Sequence, residues 1–137
     1  MINVIIFDFF GVIYNPRTGT IMEGLEDFMN ELSQRQLRSG IASSSRAEDI
    51  HESISLEPFA KQFEIIVGSY DVQNTKPNPE CYIQVADFFK VTPEQCLVID
   101  DSASAITAAK QVGFNTIVFG TDVHDFQSIN LDSYLSM

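Results

Sequence analysis

Val4-Ile5-Ile6-Phe7-Asp8 decides the fold. Four consecutive apolar residues, three of them β-branched, read as a strand buried on both faces, and a carboxylate stands directly at its carboxyl end. The same grammar recurs along the chain. Gly40-Ile41-Ala42 runs into Ser43, Glu64–Val67 forms another run, Cys96–Ile99 leads into Asp100-Asp101-Ser102, and Asn115–Phe119 closes the series. Helical patterns separate these runs. Met22, Leu25, Phe28, Met29 and Leu32 mark a helix predicted over 22–39, and a second is expected over 47–54. Asn78 with Pro79 starts a third that reaches about Lys90, followed by a single turn at Thr92–Gln95. Ser102 caps an Ala-rich fourth that Gly113 ends. Alternating strands and helices with two-sided apolar strands imply a central five-stranded parallel sheet in a three-layer α/β/α sandwich.

The 137 residues fit one domain, 1–137, with no repeat or linker. Apolar residues are 45% of the chain, enough for a core. Eight Lys and Arg against 19 Asp and Glu give a formal charge of −11. That balance argues against nucleic-acid binding, which draws on basic side chains at phosphates, and against docking on an anionic membrane. The apolar N-terminus lacks a basic region and is interrupted by Asp8, so no secretory leader is expected, and no run is long enough to span a membrane. Cys81 and Cys96 are too few for a disulfide framework and suit a reducing, cytoplasmic setting as small core residues.

In an open α/β sheet, ligands bind beyond the carboxyl ends of the strands. The residues there are Asp8, then Ser43 with Ser44 and Ser45, then Thr75-Lys76-Pro77, then Asp100-Asp101-Ser102. Each has an ordinary structural reading as a cap, turn or solvated loop residue. Together they bring carboxylates, hydroxyls and one ammonium to a single edge. Converging carboxylates with hard oxygen ligands suit Mg²⁺. With the metal and Lys76 offsetting repulsion, Asp8 can face a phosphoryl group while a serine hydroxyl donates to its oxygens. Pro77 disfavours helix at Lys76, which lets that side chain project. His51 and His124 lack partners at ligand spacing and read as surface residues, and Arg46 reads as a solvated cation near the serines.

Phe7-Asp8-Phe9-Phe10-Gly11-Val12, Ile41-Ala42-Ser43, Lys76-Pro77-Asn78-Pro79 and Val98-Ile99-Asp100-Asp101-Ser102 resemble, in order, the four motifs of the haloacid dehalogenase-like (HAD) hydrolases. The resemblance implies a Rossmann-like, HAD-like fold and a Mg²⁺-dependent phosphatase. It further implies that Asp8 is a nucleophile forming an aspartyl-phosphate and is a metal ligand. Phe10 would offer the metal its backbone carbonyl, Asp101 would be the second acidic ligand, and Asp100 would hold the metal's water shell. Ser43, Ser44 and Lys76 would hold the phosphoryl group of a substrate that is small or borne on a macromolecule.

Two departures from the family pattern bear on function. Family phosphatases carry an acid/base Asp where this chain has Phe10, and losing such a group costs ~10²–10⁴-fold in rate. The intervals from Gly11 to Ser43 and from Ser43 to Lys76 leave no room for the cap domain that most relatives insert there, so an open site is expected, with a homodimer as one way to cover it. Three functions are therefore compatible with the sequence. They are a phosphatase limited to good leaving groups, a phosphate- or protein-binding module with little turnover, and a dehalogenase-type hydrolase.

Overall fold

Every residue of the first strand, β1 (Val4–Phe7), is buried, and its side chains divide by alternation between two cores. Ile5 and Phe7 enter one apolar cluster, Val4 and Ile6 the other. The computed structural model, which describes residues 1–135, surrounds this strand with the expected three layers. A hairpin of β2 (Tyr14–Asn15) and β3 (Thr20–Ile21) precedes α1 (Leu25–Gln34). Then come β4 (Arg38–Ala42), α2 (Ala47–Ile54), β5 (Phe63–Val67), α3 (Glu80–Phe89), β6 (Cys96–Asp100), α4 (Ala103–Gln111), β7 (Asn115–Val118) and the short α5 (Asp132–Leu135).

The main sheet runs β5-β4-β1-β6-β7 with every neighbouring pair parallel. Phe7 lies opposite Ile41 on one side and Ile99 on the other. After β1 the chain goes outward to β4 and β5, then returns to the opposite side of β1 for β6 and β7. Strand order therefore reverses at β1, and the carboxyl ends of β1 and β6 flank the place where such sheets bind ligands. Leu25, Phe28, Met29 and Leu32 of α1 and Ile50 and Ile54 of α2 cover one face. Tyr82, Val85 and Ala86 of α3 and Ala105, Ile106 and Ala109 of α4 cover the other. Burying each of the larger side chains contributes ~1.5–3 kcal/mol.

Helix α1 is shorter at both ends than the apolar spacing predicts. The Met22 amide is held by the Ile13 carbonyl at 2.7 Å, which ties Met22 to the hairpin region. At the other end, Gln36 takes φ 60 and the Leu37 amide bonds back to the Leu32 carbonyl at 2.9 Å, stopping the helix. Arg38 and Ser39 then belong to β4, where the buried Ser39 hydroxyl donates to the Gln62 carbonyl at 2.9 Å. Helix α3 begins one residue later than the cap reading placed it: Pro79 is the boundary, and the Asn78 side chain accepts from the Glu80 amide at 2.9 Å. The segment after Gly120 contributes to the core through Phe126, whose ring sits 5.0 Å from Phe28 and 4.9 Å from Phe119.

No separate folding unit interrupts the two intervals between the first three strand-end motifs. The hairpin, α1 and β4 occupy the first, and α2, β5 and short 3-10 turns occupy the second. Among the described residues, no helix is long and apolar enough to cross a membrane.

Candidate active site

Asp8 leaves the end of β1 with its amide bonded to the Ile99 carbonyl of β6 at 2.9 Å, which fixes where its side chain emerges. It is 9% exposed at a cleft of ≈ 270 Å³ whose lining includes Ser43, Ser44, Lys76, Asp100 and Asp101. Every side chain expected at the site is therefore brought to one place, Phe10 included. The lining formally carries three carboxylates and one ammonium, 1 − 3 = −2.

Lys76 binds two of those carboxylates at once. Its Nζ donates to Asp8 Oδ1 at 2.8 Å and to Asp100 Oδ2 at 2.6 Å, and the side chain is only 10% exposed. The Lys76–Pro77 peptide is cis. Burial works against the ammonium, but Asp8 and Asp100 outweigh it and hold the Lys76 pKa above its ordinary value. Burial dominates at Asp8 too, where it disfavours the charged form. The Asp100 charge adds to that, Lys76 opposes it, and the net result raises the Asp8 pKa from 3.8 to about 7.

Asp100 is 1% exposed and its oxygens are engaged on three sides. Oδ2 accepts from Lys76 and from the Tyr82 hydroxyl of α3, and Oδ1 accepts from the Ser102 amide at 2.9 Å. Asp100 thus orients Lys76. Asp101 next to it is exposed and turns toward Gly11. Gly11 has φ +86, and a Cβ there would lie 2.2 Å from Asp101 Oδ2, so the close approach of that carboxylate depends on glycine.

Ser43 follows β4, anchored by its amide to the Val67 carbonyl at 2.9 Å. Its Oγ accepts from the Ser45 amide at 3.0 Å, which leaves the hydroxyl proton free to donate into the cleft. Ser44 is exposed at the rim. Arg46 sits over the Tyr70 ring at 5.0 Å and pairs with Glu48, outside the cleft lining. His51 and His124 are exposed and are not among the residues lining the cleft. The two cysteines are buried, and burial pushes their thiols up to about 11 for Cys81 and about 12 for Cys96, as expected of inert core residues.

The donor set fits a hard divalent cation. Asp8, Asp100 and Asp101 each present an oxygen within 4.8 Å of the others, the only such group of three among the described residues. One ammonium leaves their charge in excess, and the Gly11 notch keeps Asp101 close. Oxygen donors grouped in this way could hold a hard cation.

Tyr82 is the participant that sequence reasoning missed. Its position on the apolar stripe of α3 marks it as core, but a buried phenol needs a partner, and that requirement is the available signal. Pro77 and Ser104 are shared between the cleft and a wider neighbouring groove of ≈ 720 Å³ lined without ionisable side chains.

Comparison with known proteins supplies the family. The chain is 29% identical over 94 residues to the phosphorylated carbohydrates phosphatase of Thermotoga maritima, covering 69% of this chain and 44% of that protein. It is 34% identical over 87 residues to the phosphoglycolate phosphatase of Salmonella paratyphi A, covering 64% and 34%. The chain thus spans less than half the length of these curated relatives. A HAD-superfamily hydrolase from Ehrlichia chaffeensis has the same fold, with a TM-score of 0.84 at 16% identity over 98% of this chain and 96% of that one. The family model for haloacid dehalogenase-like hydrolases matches residues 15–119, and with the strand-end motifs set around β1 as described, the chain belongs to that family.

Proposed function

We propose that this protein is a Mg²⁺-dependent phosphatase that works through an aspartyl-phosphate on Asp8 and is restricted to esters with good leaving groups. One observation carries the reading: a lone ammonium, Lys76, sits between a nearly buried Asp8 and a fully buried Asp100 at the switch point of the sheet. Relatives named as phosphatases support the reaction class.

In this reading the Asp8 oxygen that Lys76 does not hold attacks phosphorus, and the bond to the leaving oxygen breaks. The Ser43 hydroxyl donates to a phosphoryl oxygen, with Ser44 at the rim, and Lys76 offsets charge there. Asp8, Asp101 and the Phe10 carbonyl would hold Mg²⁺, with Asp100 supporting its water shell. Bound there, the metal would neutralise the phosphoryl oxygens and allow Asp8 to stay ionised. Water then cleaves the phosphoaspartate at phosphorus and regenerates Asp8.

Phe10 has no proton to give, so the leaving group departs as its anion. The same fact favours a second reading, a phosphate-binding module without useful turnover. A panel of phosphate esters with Mg²⁺ separates them, run on the natural chain, Asp8→Asn and Phe10→Asp. The enzyme reading expects turnover of acetyl and p-nitrophenyl phosphate, near-inertness toward alkyl phosphates, and no activity in Asp8→Asn. Phe10→Asp should raise alkyl phosphate turnover by ~10²-fold or more. Equal rates across the panel in the natural chain would show that acid catalysis is not missing. Beryllofluoride and Mg²⁺ binding that depends on Asp8, without turnover of any ester, would support the module.

A further inference from the structure

We propose that Phe10 makes this site an aryl phosphate site, with its ring as the platform on which a phenolic leaving group rests. The inference builds on Asp8 as the nucleophile and names the substrate class that the cleft selects. Among the lining residues of that cleft, Phe10 and Pro77 are the apolar side chains amid serines, carboxylates and Lys76. Phe10 is 47% exposed there. A single exposed phenylalanine is ordinary on a protein surface, but this one is fixed in place. Its ring lies edge-to-face with Phe9 at 5.0 Å and with Tyr14 at 5.7 Å, and Phe9 itself stacks on Tyr14 at 5.6 Å with an interplanar angle of 10°. Phe9 is 1% exposed, so the rack behind Phe10 is part of the core. The ring is thus presented to ligand at little entropic cost, which is the condition under which an aromatic contact adds to affinity.

The chemistry selects the same class independently. Without an acid at position 10, the leaving oxygen must carry the negative charge itself. A phenol, with a pKa near ~10, does so far more readily than an alcohol, whose pKa lies close to the ~15.7 of water. Acyl phosphates meet that requirement but bring no ring, and alkyl or sugar phosphates bring neither. Phenolic esters satisfy both conditions. The volume, ≈ 270 Å³, is at the small end for a ligand cleft and suits a phosphoryl group with one ring.

The steps balance. An Asp8 carboxylate oxygen forms a bond to phosphorus while the phosphorus–aryl oxygen bond breaks, and the electron pair leaves on phenoxide, which takes a proton from solvent. Water then adds at phosphorus, the phosphorus–Asp8 oxygen bond breaks, and inorganic phosphate departs with Asp8 restored. The sum is aryl phosphate plus water giving phenol plus phosphate.

Two measurements on the full chain with Mg²⁺ test this. The first compares kcat/KM for phenyl phosphate and acetyl phosphate in the natural chain and in Phe10→Leu, a half-exposed position where leucine is accommodated. The phenyl-to-acetyl ratio should fall about threefold to tenfold in the variant, chiefly through KM for phenyl phosphate. The second needs no turnover: phenylphosphonate should bind several-fold tighter than methylphosphonate, and Phe10→Leu should erase the difference. An unchanged ratio with equal phosphonate affinities overturns the proposal and leaves Asp8 as nucleophile untouched. If acetyl phosphate is inert and Asp8→Asn binds phosphonates like the natural chain, it is the function proposed above that falls, and this inference with it. Free phosphotyrosine and a phosphotyrosyl peptide distinguish the source of the phenol. Preference for the peptide assigns it to a macromolecule and equal use assigns it to a small molecule, and turnover of either supports the ring as platform.

Discussion

Replacing Gly11 by alanine tests the acidic cleft without substituting any acid. The backbone at φ +86 disfavours an L side chain, a cost of about 1–2 kcal/mol. Unfolding entropy of ~2.1 cal/mol/K per residue gives ~0.29 kcal/mol/K for this chain, so the Tm should fall by roughly 3–7 °C. A second cost falls on the site. The new Cβ would meet Asp101 Oδ2 at 2.2 Å and Asp101 Cγ at 2.8 Å, so the exposed carboxylate must swing away. Gly120 supplies the control. It has φ +92 and nothing within 4 Å of a Cβ, so Gly120→Ala carries the backbone cost alone.

The two variants should therefore melt alike without metal and differ with it. At Mg²⁺ a hundredfold above Kd, linkage stabilises the folded state by ~2.7 kcal/mol, about 9 °C for this chain. Displacing Asp101 should weaken binding by ~10²-fold, in the range seen when groups supporting a metal are removed, which leaves ~0.4 kcal/mol and about 1 °C. Calorimetric melts of both variants and the natural chain, in EDTA and across a MgCl₂ titration, read this directly. A full Mg²⁺ response in Gly11→Ala would refute the placement of Asp101 in the site. Loss of response in Gly120→Ala would show that the effect is unfolding and not displacement of a ligand.

Two further outcomes follow from the charge arrangement. Asp8, pushed up from 3.8 to about 7 chiefly by burial, binds its proton more tightly folded than unfolded. Its contribution to stability is therefore full at low pH and is lost as pH rises toward neutrality, so in EDTA the Tm should decline between about pH 4 and 7.5, and Asp8→Asn should flatten that decline; an unchanged slope in the variant assigns it to other groups. Tyr82→Phe removes the hydroxyl that donates to buried Asp100 and should cost roughly 1–3 kcal/mol, or about 3–10 °C, in thermal melts; an unaltered Tm would mean that Lys76 and the Ser102 amide suffice for that carboxylate.

The strands were legible because their burial is two-sided. Val4–Phe7 and Cys96–Ile99 alternate between two apolar cores, and only a strand covered on both faces needs such a run. The ends of α1 were not legible, because local spacing continues past the points where tertiary bonds intervene. Met22 keeps the helical period yet its amide is taken by Ile13, and beyond Leu32 the polar residues show no stop before Gly40, yet Gln36 turns the chain and Arg38 is paired in β4. The Tyr14–Ile21 hairpin is only two residues per strand, too short for alternation to register, and its turn residues Asn15, Pro16 and Gly19 were the available sign. Phe126 had no periodic neighbours to mark it, since it enters the core from a single 3-10 turn.

At the site, the residues that line one cleft were legible, and the hydrogen bonds that set them apart were not. The sequence places three acids and one lysine at strand ends, and the family resemblance assigns Asp100 and Asp101 different roles without a physical reason for the difference. Their surroundings separate them: Asp100 is buried with Lys76, Tyr82 and the Ser102 amide on its oxygens, whereas Asp101 is exposed and held near by a glycine. Asp100 therefore orients the lysine, an arrangement that depends on Tyr82 of α3 reaching the carboxyl end of β6 and on no local pattern. The same holds at position 10. Sequence reads Phe10 as an absence, the acid that relatives have. Beside Phe9 and Tyr14 it is also an aromatic ring held by its neighbours among the residues that line the cleft. If the ring only filled space left by a lost acid, leucine there would serve as well and the phenyl-to-acetyl preference would survive Phe10→Leu. A preference that disappears with the ring means that the residue which removed acid catalysis also narrowed the substrates to those that do not need it.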